Sequence, residues 1–176
     1  MFTQTINFHD EDPLYNKNRY VLVCGQLDLK KSDFDKYYIP EIDKAMKCEV
    51  TVLVGNADGS DTFTLEYLAG KCYKHVVIAN KKNQFKLPDK CPSGWIKIYG
   101  FAGYPERDKY LVSKAEYVIG FINGSSRSIG SGTFLNVLSK EIGHERALKF
   151  QSGIRLNDKM QIPDDIMNII KKHTIC

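Results

Sequence analysis

Four short runs constrain the fold of this chain more than any other feature. They are RYVLVC at Arg19–Cys24, VTVLV at Val50–Val54, HVVIA at His75–Ala79 and EYVIGFI at Glu116–Ile122. Each is apolar and rich in β-branched residues without polar alternation, which is the pattern of a strand buried on both faces. Such strands belong to a mainly parallel sheet covered by helices. Helical signals fill the intervals. Ser32 is placed to cap a helix running to about Lys47, interrupted or bent at Pro40. Leu65, Leu68, Ala69 and Cys72 form an apolar stripe at helical spacing, and Asp61 is placed to cap the helix that carries them. Pro105 suits the first position of a helix with Asp108, Leu111, Val112 and Ala115 on one face. Trp95–Tyr99 alternates and reads as a further strand, and Ala147–Gln151 as a last one. Pro163 opens a closing helix with Ile166, Ile169 and Ile170. The expectation is an α/β chain with one Rossmann-like three-layer domain over 19–176, preceded by a polar, extended arm over 1–18.

Composition narrows the function classes. The 176 residues favour one domain, and 43% hydrophobic with 26% charged residues is ordinary for a soluble globular protein. No apolar run reaches the length of a membrane span, and the start has no signal-peptide pattern, so no membrane role is expected. The net charge of +4 is spread over scattered doublets such as Lys30-Lys31, Lys81-Lys82 and Lys171-Lys172, which makes nucleic acid an unlikely partner. Five cysteines (Cys24, Cys48, Cys72, Cys91, Cys176) form no metal spacing and are odd in number, which fits reduced thiols in a cytoplasmic protein. The four histidines are isolated, so neither a metal nor a cofactor is expected.

In a parallel sheet the binding crevice lies outside the carboxyl ends of the strands. Unusual loops fall at those ends. Gly25 and Gln26 open the first, and Gly55, Asn56, Ala57, Asp58, Gly59 and Asp61 form the second. The third runs from Asn123 to Thr133 and contains Gly124, Ser125, Gly130, Ser131 and Gly132, before a helix marked by Leu135, Leu138 and Ile142. A strand that breaks into a glycine–serine loop and opens a helix can hold phosphate, because glycines admit the anion and helix-start N–H groups attract it. Arg107 and Arg127 are candidate anion contacts. The loop is neither a Walker A sequence nor a dinucleotide fingerprint.

The motifs VLVCG, VLVGNADGSDTFTLEYL and AGYPERDKYLVSKAEYVIGFINGSS…GSGT, in that order, resemble small Rossmann-like proteins of the SLOG superfamily. That superfamily joins LOG phosphoribohydrolases to DNA-processing protein A, and the resemblance points to its stand-alone YspA/YpsA-like branch. It covers about Arg19 to Phe150. The Gly-x-Ala-x-Gly-x-Asp motif of that branch is matched by Gly55, Ala57, Gly59 and Asp61, its Arg-Asn pair by Arg107 with Asp108 in place of asparagine, and its glycine–threonine loop by Gly132 and Thr133. Two departures stand out: Gly25-Gln26-Leu27 replaces a Gly-Ser-Arg corner, and Asn136 stands where the LOG signature has glutamate.

The resemblance implies binding of a nucleotide or an NAD- or ADP-ribose-derived ligand, with N-glycosidic cleavage as the enzymatic version and a non-catalytic sensor or sequestering protein as the alternative. DNA binding is the weakest implication. Cleavage needs a carboxylate beside the oxocarbenium-like centre. Glu66, Asp58 and Asp108 are the expected catalytic candidates, with Glu66 as stabiliser or base. Helices such as Phe134–Ile142 often pair in that superfamily, which implies a homo-oligomer, a dimer or higher.

Overall fold

The structure, a computed structural model, describes residues 4–10, 12, 14, 18–157 and 159–176, the side chain of Ser126 excepted. The chain forms a Rossmann-like three-layer domain on one six-stranded parallel sheet. In chain order the strands are β1 (Gln4–Asn7), β2 (Tyr20–Val23), β3 (Thr51–Val54), β4 (Val76–Ala79), β5 (Ile96–Tyr99) and β6 (Tyr117–Ile119). The helices are α1 (Lys31–Asp33), α2 (Ile39–Lys47), α3 (Ser60–Gly70), α4 (Tyr104–Lys114), α5 (Ser126–Ile129), α6 (Gly132–Ile142), α7 (His144–Leu156) and α8 (Asp164–Lys172). Across the sheet the order is β1-β5-β4-β3-β2-β6, with every neighbouring pair parallel.

The continuous apolar strands are buried on both faces, and their alternate residues sort into two cores. Tyr20 and Leu22 of β2, Leu53 of β3 and Val77 of β4 pack with α4, α6, α7 and α8. Val21, Val23, Val52, Val54 and Ile78 pack with α2, α3 and the turn before α2. The apolar face of α6, which the sequence offers to a second copy, places Phe134, Val137 and Leu138 in this chain's own core.

Several expectations are corrected. The arm is not wholly outside the domain, because Gln4–Asn7 is the edge strand β1, in register with Ile96–Tyr99. Phe8 then stacks on Phe101 with centroids 4.5 Å apart, so apolar burial holds this end down. Ala147–Gln151 lies within α7, because its buried residues Ala147, Phe150 and Gln151 follow helical spacing rather than a period of two. Ser32 does not cap; the helix begins at Lys31, with Lys30 accepting from the N–H groups of Asp33 and Phe34. Between α1 and α2 the chain widens into a π-turn, Phe34–Tyr38. Pro40, lacking an N–H, sits at the start of α2, and the wider turn carries the chain past it.

Candidate functional site

The chain runs β2, β3, β4, β5 toward one edge, then α4 returns it to the far side of β2 as β6. The loops after β2 and β6 therefore leave in opposite directions, which opens a crevice at their carboxyl ends. A cleft of about 800 Å³ occupies that place, lined from β2 onward by Leu22–Asp28, then by Gly55, Ala57 and Asp61, by α4, and by the Asn123–Thr133 loop. Tyr38 holds the two diverging strands. Its hydroxyl donates to the Cys24 carbonyl and accepts from the Phe121 N–H, both at 3.1 Å, and its side chain is fully buried.

Glycines let the loops meet. A Cβ on Gly25 would collide with Ser60 and with the Tyr38 hydroxyl. Gly59 has a positive φ of 76° and lies against the backbone carbonyls of Gln26 and Leu27, so any side chain there is excluded. The Gly55 Cα faces the Asp61 carboxylate and the Arg107 guanidinium together.

Those two side chains, with Asp108, form the polar wall of the cleft. Arg107 is 8% exposed, although it is a charged residue on α4. Its Nη2 and Nε meet Asp108 Oδ1 at 2.7 and 2.8 Å, and the Tyr104 ring lies 4.9 Å from the guanidinium carbon. Its Nη1 is buried with no hydrogen-bond partner among the described residues. A buried charged donor left open is costly unless something accepts from it. Asp61 is equally enclosed, 7% exposed, and its Oδ2 accepts from the Ala57 N–H at 3.0 Å. Burial pushes its carboxyl up to about 6, while the Ala57 N–H and the Arg107 charge pull the other way. The Asp108 charge adds to the rise. Asp61 can therefore change protonation near neutral pH, inside the cleft wall.

The opposite wall is the serine–glycine loop. Ser126–Ile129 coils into the short helix α5, and α6 begins at Gly132. Ser131 caps α6, its Oγ accepting from the Phe134 N–H at 3.3 Å and its carbonyl from Leu135 N–H at 3.0 Å. The Gly132 and Thr133 N–H groups at the helix start have no acceptor among the described residues. Gln151 on α7 fixes this loop from behind, donating to the carbonyls of Ile129 and Ser131 at 2.7 and 3.0 Å. Arg155 adds a bond to Gly130 at 2.8 Å.

Most residues picked from the sequence meet here. Gly25, Gln26, Gly55, Ala57, Asp61, Arg107, Asp108, Asn123, Ser125, Gly130, Ser131, Gly132 and Thr133 all line the cleft, and so does Arg127. Glu66, expected as the main catalytic carboxylate, is exposed on α3 and is not part of the lining, because one and a half turns beyond Asp61 the helix has carried it away from the rim. Asp58 is exposed and pairs with Lys86 at 2.8 Å, beside a second cleft. Asn56 also belongs there: its buried amide donates to Lys86 O at 2.8 Å and accepts from Lys86 N–H at 2.7 Å. Gly59 and Gly124 shape their loops without lining the cleft, Gly124 with a φ of 78°. Asp61 is not the helix cap; Gly59 holds that position with no side-chain bond, and the carboxyl turns inward.

Sequence reasoning missed Tyr104, Leu27, Gln151 and Tyr38. Tyr104 and Leu27 stand at the mouth, 56% and 69% exposed. An aromatic residue beside a predicted helix start was the available signal for Tyr104. Asn136, noted only as a departure from a signature, is buried and lines the cleft, where the Cys24 thiol donates to the Thr133 carbonyl at 4.0 Å. Burial pushes the Cys24 thiol strongly upward, so it is a packing group and not a ready nucleophile.

Fold and cleft together define an α/β domain with a preformed polar crevice at the switch point of a parallel sheet. No family model, curated protein or solved structure matches the chain.

Proposed function

We infer that the crevice binds a phosphorylated nucleoside or an ADP-ribose-like derivative of one, as in the SLOG superfamily that the motifs resemble. The observation that carries the reading is the buried Arg107 with an unfilled Nη1, set in the same cleft as the open start of α6. A ligand hydroxyl or phosphate oxygen accepting from Nη1 removes the cost of that open donor. Phosphate on the Gly132 and Thr133 N–H groups gains from the helix dipole. The cleft volume suits a mononucleotide-sized molecule.

N-glycosidic cleavage is the reaction this wall can support. As the C1′–N bond breaks, Asp61, protonated on the acid side of about 6, gives its proton to the departing base and Asp108 presents a carboxylate to positive charge developing on the sugar; water then bonds to C1′ and returns a proton to the Asp61 carboxylate. Glu66 and Asp58 have no place in this reaction from where they stand. The sensor reading draws on a different observation: Arg107 already engages Asp108, and Ala57 engages Asp61, which leaves both carboxylates partly satisfied before any ligand enters.

Thermal-shift titration with AMP, ADP-ribose and NAD, followed by chromatography of each mixture, tests both. At least one compound is expected to raise Tm, as binding to the folded state alone must, and Arg107→Ala is expected to abolish the rise. Free base in the mixture, absent with Asp61→Asn, identifies the hydrolase; intact ligand identifies the sensor. No shift with any of the three compounds overturns the reading.

A further inference from the structure

A second cleft, of about 700 Å³, adjoins the first along the same rim. The two share Leu27, Ala57 and Tyr104, which form a ridge between them. Beyond the ridge the lining changes character. Lys81, Lys82 and Lys86 stand there with Asn80, Gln84 and Phe85, and the one carboxylate among the lining residues is Asp58. The first cleft carries Asp28, Asp61 and Asp108 against Arg107 and Arg127. The excess of positive charge therefore lies in the second cleft.

The lysines are mounted on a pinned loop. Asn56 at the end of β3 grips the Lys86 backbone through both its amide groups, as another strand would. Asn80 N–H bonds Ile98 O at 2.9 Å, and Gly100 N–H bonds Lys81 O at 3.2 Å, which ties the other end to the β5 turn. The Asn80 side chain accepts from the Lys81 N–H at 2.9 Å. The Lys86–Asp58 pair is exposed on both sides, so it is weak and open to displacement by a stronger anion. On the ridge, Leu27 and Tyr104 present apolar surface to solvent, and Tyr104 has one face committed to Arg107. A planar or apolar ligand segment crossing the ridge covers what these two side chains leave bare.

We propose that the second cleft is an anion subsite, and that one ligand spans both clefts. That ligand is a nucleotide carrying a second phosphate, with one phosphate at the start of α6, its middle over Leu27 and Tyr104, and the other phosphate on Lys81, Lys82 and Lys86. The proposal rests on the nucleotide reading of the first cleft. Asp58 acts here as the resident anion that the second phosphate replaces on Lys86.

Two ligand pairs that differ by one phosphate test it: AMP with adenosine 3′,5′-bisphosphate, and NAD with NADP. Affinities are measured by calorimetry at fixed salt. In at least one pair the member with the extra phosphate is expected to bind about tenfold tighter. That gain is lost in Lys81→Ala/Lys82→Ala and enlarged in Asp58→Asn. It survives Lys171→Ala/Lys172→Ala on α8, a doublet outside both clefts. All these positions are exposed, so the variants fold. Members without the extra phosphate that bind equally to all variants, with no gain from adding it, overturn the subsite and leave the first cleft standing. A gain that survives removal of Lys81 and Lys82, or that falls equally with Lys171 and Lys172, also overturns it. Binding of none of the four compounds sinks the reading of the first cleft and this proposal with it.

Discussion

Asp61 and Arg107 are enclosed to a degree that charged side chains seldom reach without a task. Asp61 has a testable signature of its own. Its folded carboxyl is raised from the ordinary 3.8 to about 6, so protons bind the folded state more tightly than the unfolded one. The stability it lends is full below the ordinary value and is lost as pH rises through about 6. At about 1.4 kcal/mol for each pH unit of displacement, the loss is roughly 2–3 kcal/mol between pH 3 and pH 8. His173 works in the other direction. Its Nδ1 bonds the Gly120 carbonyl at 2.7 Å, and burial lowers its pKa below the usual 6.5, so it withdraws stability as pH falls. Asp61→Asn separates the two. Its Tm relative to the parent is expected to climb by about 5 °C or more from pH 4 to pH 7.5, at about 2–4 °C per kcal/mol. A difference that stays flat over that range means that Asp61 is not a buried acid in solution.

At the scale of elements, the crevice depends on how β2 and β6 are held where their loops part. The Tyr38 hydroxyl does this from a helix on one face of the sheet, accepting from Phe121 N–H and donating to Cys24 O. Tyr38→Phe keeps the ring and strands two half-buried backbone groups, a cost of about 1–3 kcal/mol. A Tm lowered by roughly 3–10 °C is the expected result, and an unchanged Tm rejects the bridging role. This coupling also marks where the sequence stops being legible. The strands β2, β3, β4 and β6 declare themselves because a continuous apolar run is a local pattern. The rim loops do so because glycine clusters are local too. Tyr38 reads as an ordinary apolar helix residue, since its work lies in a hydroxyl aimed at strands far along the chain. Gln151 is polar within an apolar stretch, and its role appears only when α7 packs behind the Ser131 loop. Glu66 illustrates the opposite error. It shares a helix with Asp61, but the helical turn carries it out of the crevice, and a carboxylate's presence near a motif does not fix its direction.

For the whole molecule, the order β1-β5-β4-β3-β2-β6 puts the crevice between β2 and β6, far from the edge that β1 covers. The N-terminal segment therefore serves the fold in two separable ways. Its backbone occupies the outer ladder of β5, which an exposed parallel strand would offer to another chain. Its Phe8 ring stacks on Phe101 and meets Tyr110 edge-on at 4.9 Å, bracing α4, the helix that carries Arg107. Removing residues 1–9 abolishes both functions, and Phe8→Ala abolishes only the second. The truncated chain is expected to melt lower and to associate with rising concentration, as followed by light scattering. Phe8→Ala is expected to lose about 1–3 kcal/mol, below the roughly 3–5 kcal/mol of a fully buried aromatic because Phe8 is only partly buried, and to stay at the parent's state of association. Association of Phe8→Ala to the same extent as the truncation contradicts the division, because the strand that covers β5 is still present in that variant.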